Sequence, residues 1–379
     1  MMTREQNALL YLVRLGIGGN LEPCLDISGV EWKALLKLAH RHGVAAIALD
    51  GLQKVYENGG TDTDVDAFAE MGDLRYEWCS RCLSMEQDYL RYVGAIEHLA
   101  SFYAREEIPM MLLKGYGLSL NYPVPGHRPS GDIDIYLWHL WEFADEMVSK
   151  RLGIAVDHSH HYHSVFHFEG RSVENHYDFV NVHSHRSNKM IEETFKGLAA
   201  DKYKAVSHTL PGGTKIFLPS PDLNALFVAR HCAAHFAAEE MNLRQLLDWA
   251  LFVRQHSGEV DWGYFWEEVE KMGMVKFVLC IDAIASEELG IDGDLFHTPG
   301  KFSGFSVAER GLVKRVLGDI LQREYQGENG KGVIKYVWSR WKNWLHNRWK
   351  HKIVYSDSLF STFISQVVSH LMKPKSLKG

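Results

Sequence analysis

The sequence lacks several features that would assign it to a familiar class. No run of 18 apolar residues occurs, so we expect no transmembrane helix. Five cysteines in 379 residues are too sparse for a disulfide framework. The apolar stretch near the N-terminus is short and interrupted by Arg14, which argues against a signal peptide. A cytoplasmic location is therefore expected.

Several catalytic motifs are also missing. No G-x-x-x-x-G-K-[ST] sequence is present, which argues against a P-loop nucleoside triphosphatase. The stretch "KGYGLSL" lacks the third glycine of a dinucleotide-binding fingerprint. Cys79 and Cys82 form a C-x-x-C pair, but no second pair completes a zinc site, so we expect both to be structural.

Charge is distributed unevenly along the chain. The net charge is −7, although residues 331–379 contain ten Lys and Arg residues and one acidic residue. The remaining, acidic part argues against broad electrostatic binding of nucleic acid. Residues 331–352 interleave basic residues with tryptophans, which leaves three interpretations open: a peripheral membrane contact, a stacking contact with nucleic acid, or a helix packed on the acidic body.

The order of segments predicts an α+β protein with a small mixed β-sheet between helical regions. We expect an N-terminal helical region at 1–105, an α/β core at 106–218, a C-terminal helical domain at 219–325 and a basic, tryptophan-rich tail at 326–379. Ser220 is the expected N-cap of the helix that opens the C-terminal domain, because a proline follows it.

A β-hairpin that turns at Glu169–Gly170 is expected within the α/β core. A two-residue turn would place Val165 opposite Glu174 and His163 opposite His176. One face would then be apolar and belong to the core. The other face would be polar and could form a site, with His161, His163, His167, Glu174, His176 and Asp178.

The most informative stretch is "SGDIDIY", which places two carboxylates on one strand face. Asp132 and Asp134 would share that face while the intervening isoleucine points into the core. Carboxylates about 7 Å apart repel each other unless a cation lies between them. Mg²⁺ prefers such oxygens together with phosphates, and two ions can hold a nucleoside triphosphate. Glu174 is the expected third carboxylate, with Asp178 in reserve; the alternative is an exposed strand face without function.

The segment "LLKGYGLSLNYPVPGHRPSGDIDIYL" resembles a bacterial family of uncharacterised nucleotidyltransferases in the DNA-polymerase-β-like superfamily. The segments "VENHYDF", "LFVARHCAAH" and "LRQLLDWALFV" extend the similarity over about residues 105 to 255. The resemblance implies a nucleotidyltransferase core that uses two Mg²⁺ ions. It also implies transfer of a nucleoside monophosphate from a nucleoside triphosphate, with ATP expected, to an unknown small-molecule or macromolecular acceptor.

The resemblance also implies roles for individual residues. Asp132 and Asp134 would be metal ligands, and Glu174 would be a ligand or the base that takes the acceptor's proton. Lys114 and Arg128 would contact phosphates, and Gly115 and Gly131 would allow the loops to approach the triphosphate closely. Ser130 is a further expected nucleotide contact.

One departure from the superfamily pattern keeps a second function open. The superfamily usually has Gly-Ser where this chain has Lys114-Gly115, so Ser119 or Ser130 would have to supply the hydroxyl. The alternative is therefore a catalytically degraded binding or regulatory module with the same fold.

The histidines allow several interpretations. Those of the hairpin could bind zinc or line a solvated strand, and His176 could relay a proton near Glu174. His231 and His235 lie one helical turn apart without the glutamate of a zinc protease motif, so they are either structural or, together with His176, part of an acceptor site. Arg244 and Asp248 have the spacing of an intrahelical ion pair.

Overall fold

The computed structural model describes residues 2–20, 25, 27, 29–57, 71–238, 241–300, 302–322 and 347–357. The α-helices of this part are α1 Arg4–Gly16, α2 Trp32–Arg41, α3 Ala45–Glu57, α4 Leu74–Arg105, α5 Tyr116–Ser119, α6 Trp141–Leu152, α7 Asn188–Ala199, α8 Pro221–Ala237, α9 Leu243–His256, α10 Trp262–Lys271, α11 Val275–Glu287, α12 Val307–Leu321 and α13 at residues 347–354. The strands are β1 Met111–Leu112, β2 Ile133–Tyr136, β3 His163–Phe168, β4 Arg171–His176, β5 Val206–Thr209 and β6 Lys215–Leu218.

The fold is α+β, as the order of segments predicted. The strands form a mixed sheet in the order β3-β4-β2-β1-β6-β5. Strand β2 runs parallel to β4 and antiparallel to β1, and β1 runs parallel to β6. The hairpin of β5 and β6 at one edge was not predicted from the sequence. Its strands have four residues each, and the side chains of β5 are mostly exposed, so the pattern carries little signal.

The predicted hairpin of β3 and β4 is confirmed, including its register. His163 pairs with His176, and Val165 pairs with Glu174. The turn is at Glu169 and Gly170, which have φ values of 47° and 77°. Two consecutive positive φ values are those of a type I′ turn, whose twist matches that of the strands.

One face of the sheet packs in a hydrophobic core. Ile133 and Ile135 of β2 are fully buried and pack with Phe166 and Val173 of the hairpin. Helices α4 and α6 cover this face. Because side chains alternate along a strand, Asp134 and Tyr136 project from the opposite face, where α7 and α8 lie.

The helices before and after the sheet share a second core, which contains buried residues of α1–α3 and of α8–α12. Two cap motifs mark the starts of α8 and α9. Ser220 caps α8 by accepting from the backbone N–H of Leu223, with Pro221 at the first helical position, as predicted. Asn242 and Gln245 form a capping box at the start of α9. These caps position the helix faces that turn toward the sheet.

Helix α13 belongs to the basic tail and packs against the helical core. The ring of Trp349 contacts Phe236, and the guanidinium of Arg315 lies 3.9 Å from its centroid. Lys350 is buried and forms a 2.6 Å ion pair with Asp319. Residues 347–357 thus match the interpretation of a helix packed on the body of the protein. Residues 323–346 and 358–379 lie outside the described part, so a membrane or nucleic-acid contact through them stays a prediction. None of the described helices has the length and apolar character needed to cross a membrane.

Candidate active site

Three carboxylates converge where β2 begins, on the face opposite the sheet core. The parallel register of β2 and β4 sets Asp134 beside Glu174. Asp132 lies two residues earlier and is exposed. Each of the three residues offers an oxygen that lies within 4.8 Å of the other two. Strand alternation and sheet register therefore bring together the three acids that the sequence singled out.

Lys114 neutralises the most buried of these carboxylates. It follows β1 at a point where the backbone N–H of Leu113 donates to the Asp134 carbonyl. Its Nζ lies 2.7 Å from Oδ1 of Asp134. Burial alone would raise the pKa of Asp134, but the charge of Lys114 and a hydrogen bond from His176 outweigh it and hold that pKa well below its usual range. Asp134 is therefore ionised at neutral pH.

His176 bridges two of the carboxylates. Its Nε2 lies 3.1 Å from Oδ1 of Asp134 and 3.4 Å from Oε2 of Glu174, and its Nδ1 lies 3.3 Å from the Asp178 carbonyl. Burial favours the neutral imidazole, but the hydrogen bonds to Asp134 and Glu174 dominate and raise the pKa of His176 to about 9. The same bond to His176 outweighs burial at Glu174 and lowers the pKa of that carboxyl.

Asp132 has a different environment from Asp134. Loss of hydration at its carboxylate, followed by the negative charge of Asp134, raises the pKa of Asp132, although Lys114 works in the opposite direction. The exposed position of Asp132 makes it the acid through which a solvated ion can approach. A cation bound between the carboxylates would relieve the repulsion between Asp132 and Asp134.

Gly115 is required by the backbone at the edge of the site. Its φ of +57° and ψ of −105° lie outside the regions open to L side chains. A Cβ atom there would lie 2.3 Å from the Tyr92 hydroxyl. That hydroxyl donates to the carbonyl of Asp132 at 3.2 Å. The glycine turn thus lets Tyr92 reach across and fix the backbone that carries the first acid.

The loop before β2 contains the two other small residues predicted to contact nucleotide. Ser130 Oγ is buried and has no hydrogen-bond partner, whereas Ser119 donates to the Tyr116 carbonyl and contacts the Tyr89 hydroxyl. Of the two serines considered as a replacement hydroxyl, Ser130 is therefore the one with an unused polar atom. Gly131 has open space where a Cβ would be.

Arg128 has a buried partner in the helical domain. Its Nε and Nη2 donate to the two oxygens of Asp248 on α9, at 2.8 and 2.9 Å. The hydroxyl of Tyr122 donates to the same carboxylate at 2.8 Å. The helical spacing predicted that Asp248 would pair with Arg244; the structure shows Arg128 as its partner instead. The ion pair of Arg128 and Asp248 thus holds the loop before β2 against α9.

The remaining predicted residues are His231, His235 and Asp178. Burial, and then the charge of Lys114, hold the pKa of His231 well below its ordinary range, so α8 presents a neutral imidazole near the site. His235 stacks edge-on against His231 with ring centroids 4.4 Å apart. Asp178, the reserve acid, forms an ion pair with Lys196.

A cavity of about 360 Å³ lies beside the loop before β2, between the N-terminal helices and the start of α9. Cationic side chains contribute to its wall. Its lining consists of His40, Arg41, Gly43, Ala45, Met85, Pro129, Asn242 and Arg244. Arg244 also acts electrostatically on His231, which in turn responds to Lys114.

The donor set of the three acids fits a hard divalent cation. Mg²⁺ binds carboxylate oxygens and retains positions for water and phosphate. A mixed sheet whose neighbouring strands present these acids, with a lysine–glycine turn beside them, is consistent with a nucleotidyltransferase core. A family model described as an uncharacterised nucleotidyltransferase matches residues 28–290, and the chain therefore belongs to that family. Comparisons with curated proteins and with solved structures gave no match.

Two contacts of the site were missed by sequence reasoning. Tyr92 lies in the middle of α4, where an aromatic residue is indistinguishable from core packing. Asp248 occurs in "LLDWALF", and an acid within such an apolar run is a sign of a buried, partnered charge. That sign was available but did not identify Arg128 as the partner.

Proposed function

We propose that this protein transfers a nucleoside monophosphate from a nucleoside triphosphate, with ATP as the expected donor, to an acceptor hydroxyl, and that pyrophosphate is released. Two Mg²⁺ ions bound by Asp132, Asp134 and Glu174 would neutralise the triphosphate and polarise the reacting phosphorus. The observation that carries the proposal is the convergence of these three carboxylates from two neighbouring strands, in a member of a nucleotidyltransferase family.

The residues around the three acids have different roles in the proposed reaction. Lys114 and His176 hold Asp134 and Glu174 ionised, so that both carboxylates are ready to accept a cation. Once a metal ion neutralises Asp134 in place of Lys114, the ammonium group of Lys114 would be free to contact a phosphate oxygen. The open space where a Cβ of Gly131 would lie leaves room for the triphosphate to approach the loop.

The acceptor would approach from the helical side. His231 on α8 is close enough to Lys114 for the charge of that lysine to lower its pKa, and Arg41 and Arg244 line the cavity beside the loop before β2. Cationic walls favour an acceptor with an anionic group, since opposite charge steers such a ligand toward the site. His176 is protonated at neutral pH, so we assign proton removal to Glu174 or to water rather than to this imidazole.

A non-enzymatic nucleotide-binding module is the second candidate. It is favoured by the ion pair between Lys114 and Asp134, since the lysine stands where the superfamily pattern has a glycine and occupies an oxygen that a metal ion would need. In that case, nucleotide would bind and no group would be transferred.

A labelling experiment separates the two candidates. Purified protein is incubated with Mg²⁺, each of the four ribonucleoside triphosphates labelled at the α- or γ-phosphorus, and a size-fractionated extract as the acceptor source. We expect α-label to appear on a new product and γ-label in pyrophosphate. Asp132→Asn should abolish both, whereas Asp294→Asn, a change of an exposed acid outside the site, should abolish neither.

The opposite results are equally informative. Transfer of the γ-label to the product would exclude nucleotidyl transfer, and unchanged transfer by Asp132→Asn would exclude the carboxylate site. Binding of nucleotide without transfer of either label would favour the module.

A further inference from the structure

Two histidines and a glutamate form a cluster next to the three carboxylates, and Glu174 is common to both groups. One ligand atom from each of His163, Glu174 and His176 lies within 4.8 Å of the other two. The antiparallel register of β3 and β4 places His163 directly opposite His176. Glu174 lies two residues before His176 and therefore points to the same face.

Both ring nitrogens lie near the Glu174 carboxylate, and Nε2 of His176 also lies 3.1 Å from Oδ1 of Asp134. His163 Nε2 lies 3.9 Å from Oε1 of Glu174, and His176 Nε2 lies 3.4 Å from Oε2. Metal–ligand bonds of about 2.1 Å in a tetrahedral site put the ligand atoms about 3.4 Å apart. The separation at His176 thus equals an edge of such a coordination polyhedron, and the separation at His163 is longer than that edge.

The surroundings of His176 select the tautomer that a metal requires. Its Nδ1 lies 3.3 Å from the backbone carbonyl of Asp178, so this nitrogen carries the proton and donates it. The lone pair of the neutral ring is then on Nε2, which faces Glu174. A ligating histidine that donates its other N–H to a carbonyl is the usual outer arrangement of metal sites.

We propose that His163, His176 and Glu174 form a second cation site that takes a divalent transition metal ion such as Zn²⁺ in preference to Mg²⁺. Imidazole nitrogens favour Zn²⁺ and its neighbours, whereas Mg²⁺ favours oxygen. Binding displaces the proton on Nε2 of His176 to solvent, and the freed lone pair forms the bond to the metal. Glu174 would bridge this ion and one held by Asp132 and Asp134.

The inference rests on the proposed function only in that Glu174 is shared, and its test needs no catalysis. Full-length, tag-free protein is stripped with chelator and titrated with Co²⁺ in the presence of excess Mg²⁺. We expect one tightly bound Co²⁺ per chain, with the visible absorption of nitrogen coordination, which Zn²⁺ displaces. His163→Ala should weaken Co²⁺ binding about tenfold or more.

The matched control is His167→Ala. His167 lies on the same face of β3 but is exposed and outside the cluster. Because the chain has 21 histidines, equal loss of affinity in both variants, or unchanged affinity in His163→Ala, would identify adventitious surface binding and overturn the inference.

A measurement on the wild-type protein covers the case in which the variant does not fold. X-ray absorption by one equivalent of bound Zn²⁺, with excess Mg²⁺ present to fill the carboxylate site, should show imidazole nitrogens coordinated directly to the zinc. Oxygen-only coordination would overturn the inference. Mg²⁺-dependent nucleotide binding together with oxygen-only coordination would leave the proposed function standing, whereas nitrogen coordination without nucleotide binding would do the reverse.

Discussion

The Nζ atom of Lys114 lies 2.7 Å from Oδ1 of Asp134, and both side chains are largely withdrawn from water. The pair connects the turn after β1 to β2, which carries Asp134 and follows Asp132 directly. In the absence of metal, the ammonium group of Lys114 lies where the proposed function requires a bound metal ion. Folding stability and metal affinity are therefore expected to depend on the same few residues.

Replacing Lys114 should expose this dependence. In Lys114→Met, Asp134 keeps its charge but loses its buried partner, so we expect the free energy of unfolding at pH 7 to fall by about 3 kcal/mol. Millimolar Mg²⁺ should restore more stability in the variant than in the wild type, because a bound cation takes over the role of the ammonium group. Chemical denaturation with and without Mg²⁺ measures both effects. Lys150→Met, which removes an exposed helical ion pair, should cost less than about 1 kcal/mol; an equal loss in both variants would contradict the account.

Protonation of His176 should make stability depend on pH. The pKa of His176 is raised to about 9 in the folded protein from an ordinary value of 6.5. A raised pKa means that the folded state binds the proton more tightly, so the contribution is complete below pH 6.5 and is lost as the pH rises through about 9. The contribution is about 3 kcal/mol. Denaturation of the wild type and of His176→Gln at pH 6 and 9.5 should show a smaller pH dependence in the variant, and parallel curves would refute the assignment.

The two glycines of the site should respond differently to alanine. Gly115→Ala puts a Cβ against the Tyr92 hydroxyl at a positive φ, so we expect a loss of about 2 kcal/mol, part of which Tyr92→Phe restores. Gly131→Ala meets open space and should keep its stability within about 0.5 kcal/mol. If the loop approaches the triphosphate at Gly131, that variant should nevertheless bind nucleotide more weakly. Thermal unfolding and calorimetry separate the two effects, and equal destabilisation by both alanines would be the contrary result.

The ion pair of Arg128 and Asp248 should be the main interaction that holds the loop before β2 against α9. Arg128→Ala leaves Asp248 buried without a cation and should cost about 3–5 kcal/mol. Arg244→Ala, which removes the partner suggested by helical spacing, should cost less than half as much. A double-mutant cycle between Arg128 and Asp248 should show a coupling energy above about 1 kcal/mol. A larger loss of stability in Arg244→Ala than in Arg128→Ala would contradict the assignment of Arg128 as the partner of Asp248.

Trp349 tests the packed interpretation of the tail. Its ring contacts Phe236 and lies under Arg315, so Trp349→Ala should lower the free energy of unfolding by about 2 kcal/mol. Binding to anionic vesicles should be the same in the variant and the wild type. Unchanged stability combined with weaker vesicle binding would instead assign this tryptophan to a membrane contact.

The sequence predicted local relationships well because strand geometry is strict. A two-residue turn at Glu169 and Gly170 determined every pair of the hairpin, and alternation along β2 put Asp132 and Asp134 on one face. Each of these inferences needed only neighbours a few residues apart.

Relationships between distant segments could not be predicted in the same way. Arg128 and Asp248 are 120 residues apart, and helical spacing offered Arg244 as a nearer partner. Tyr92 reaches Asp132 only because α4 packs across the sheet and Gly115 leaves a gap for its hydroxyl. Such contacts depend on how the helices are arranged around the sheet, which periodicity does not encode.

Calorimetric titration of the four ribonucleoside triphosphates into the wild type and into Asp132→Asn/Asp134→Asn, with and without Mg²⁺, tests the central claim most directly. The account predicts binding of at least one triphosphate to the wild type only when Mg²⁺ is present, and a loss of affinity of about a hundredfold or more in the double variant. Equal affinity in the two proteins, or binding that ignores Mg²⁺, would contradict the assignment of these carboxylates to a metal–nucleotide site.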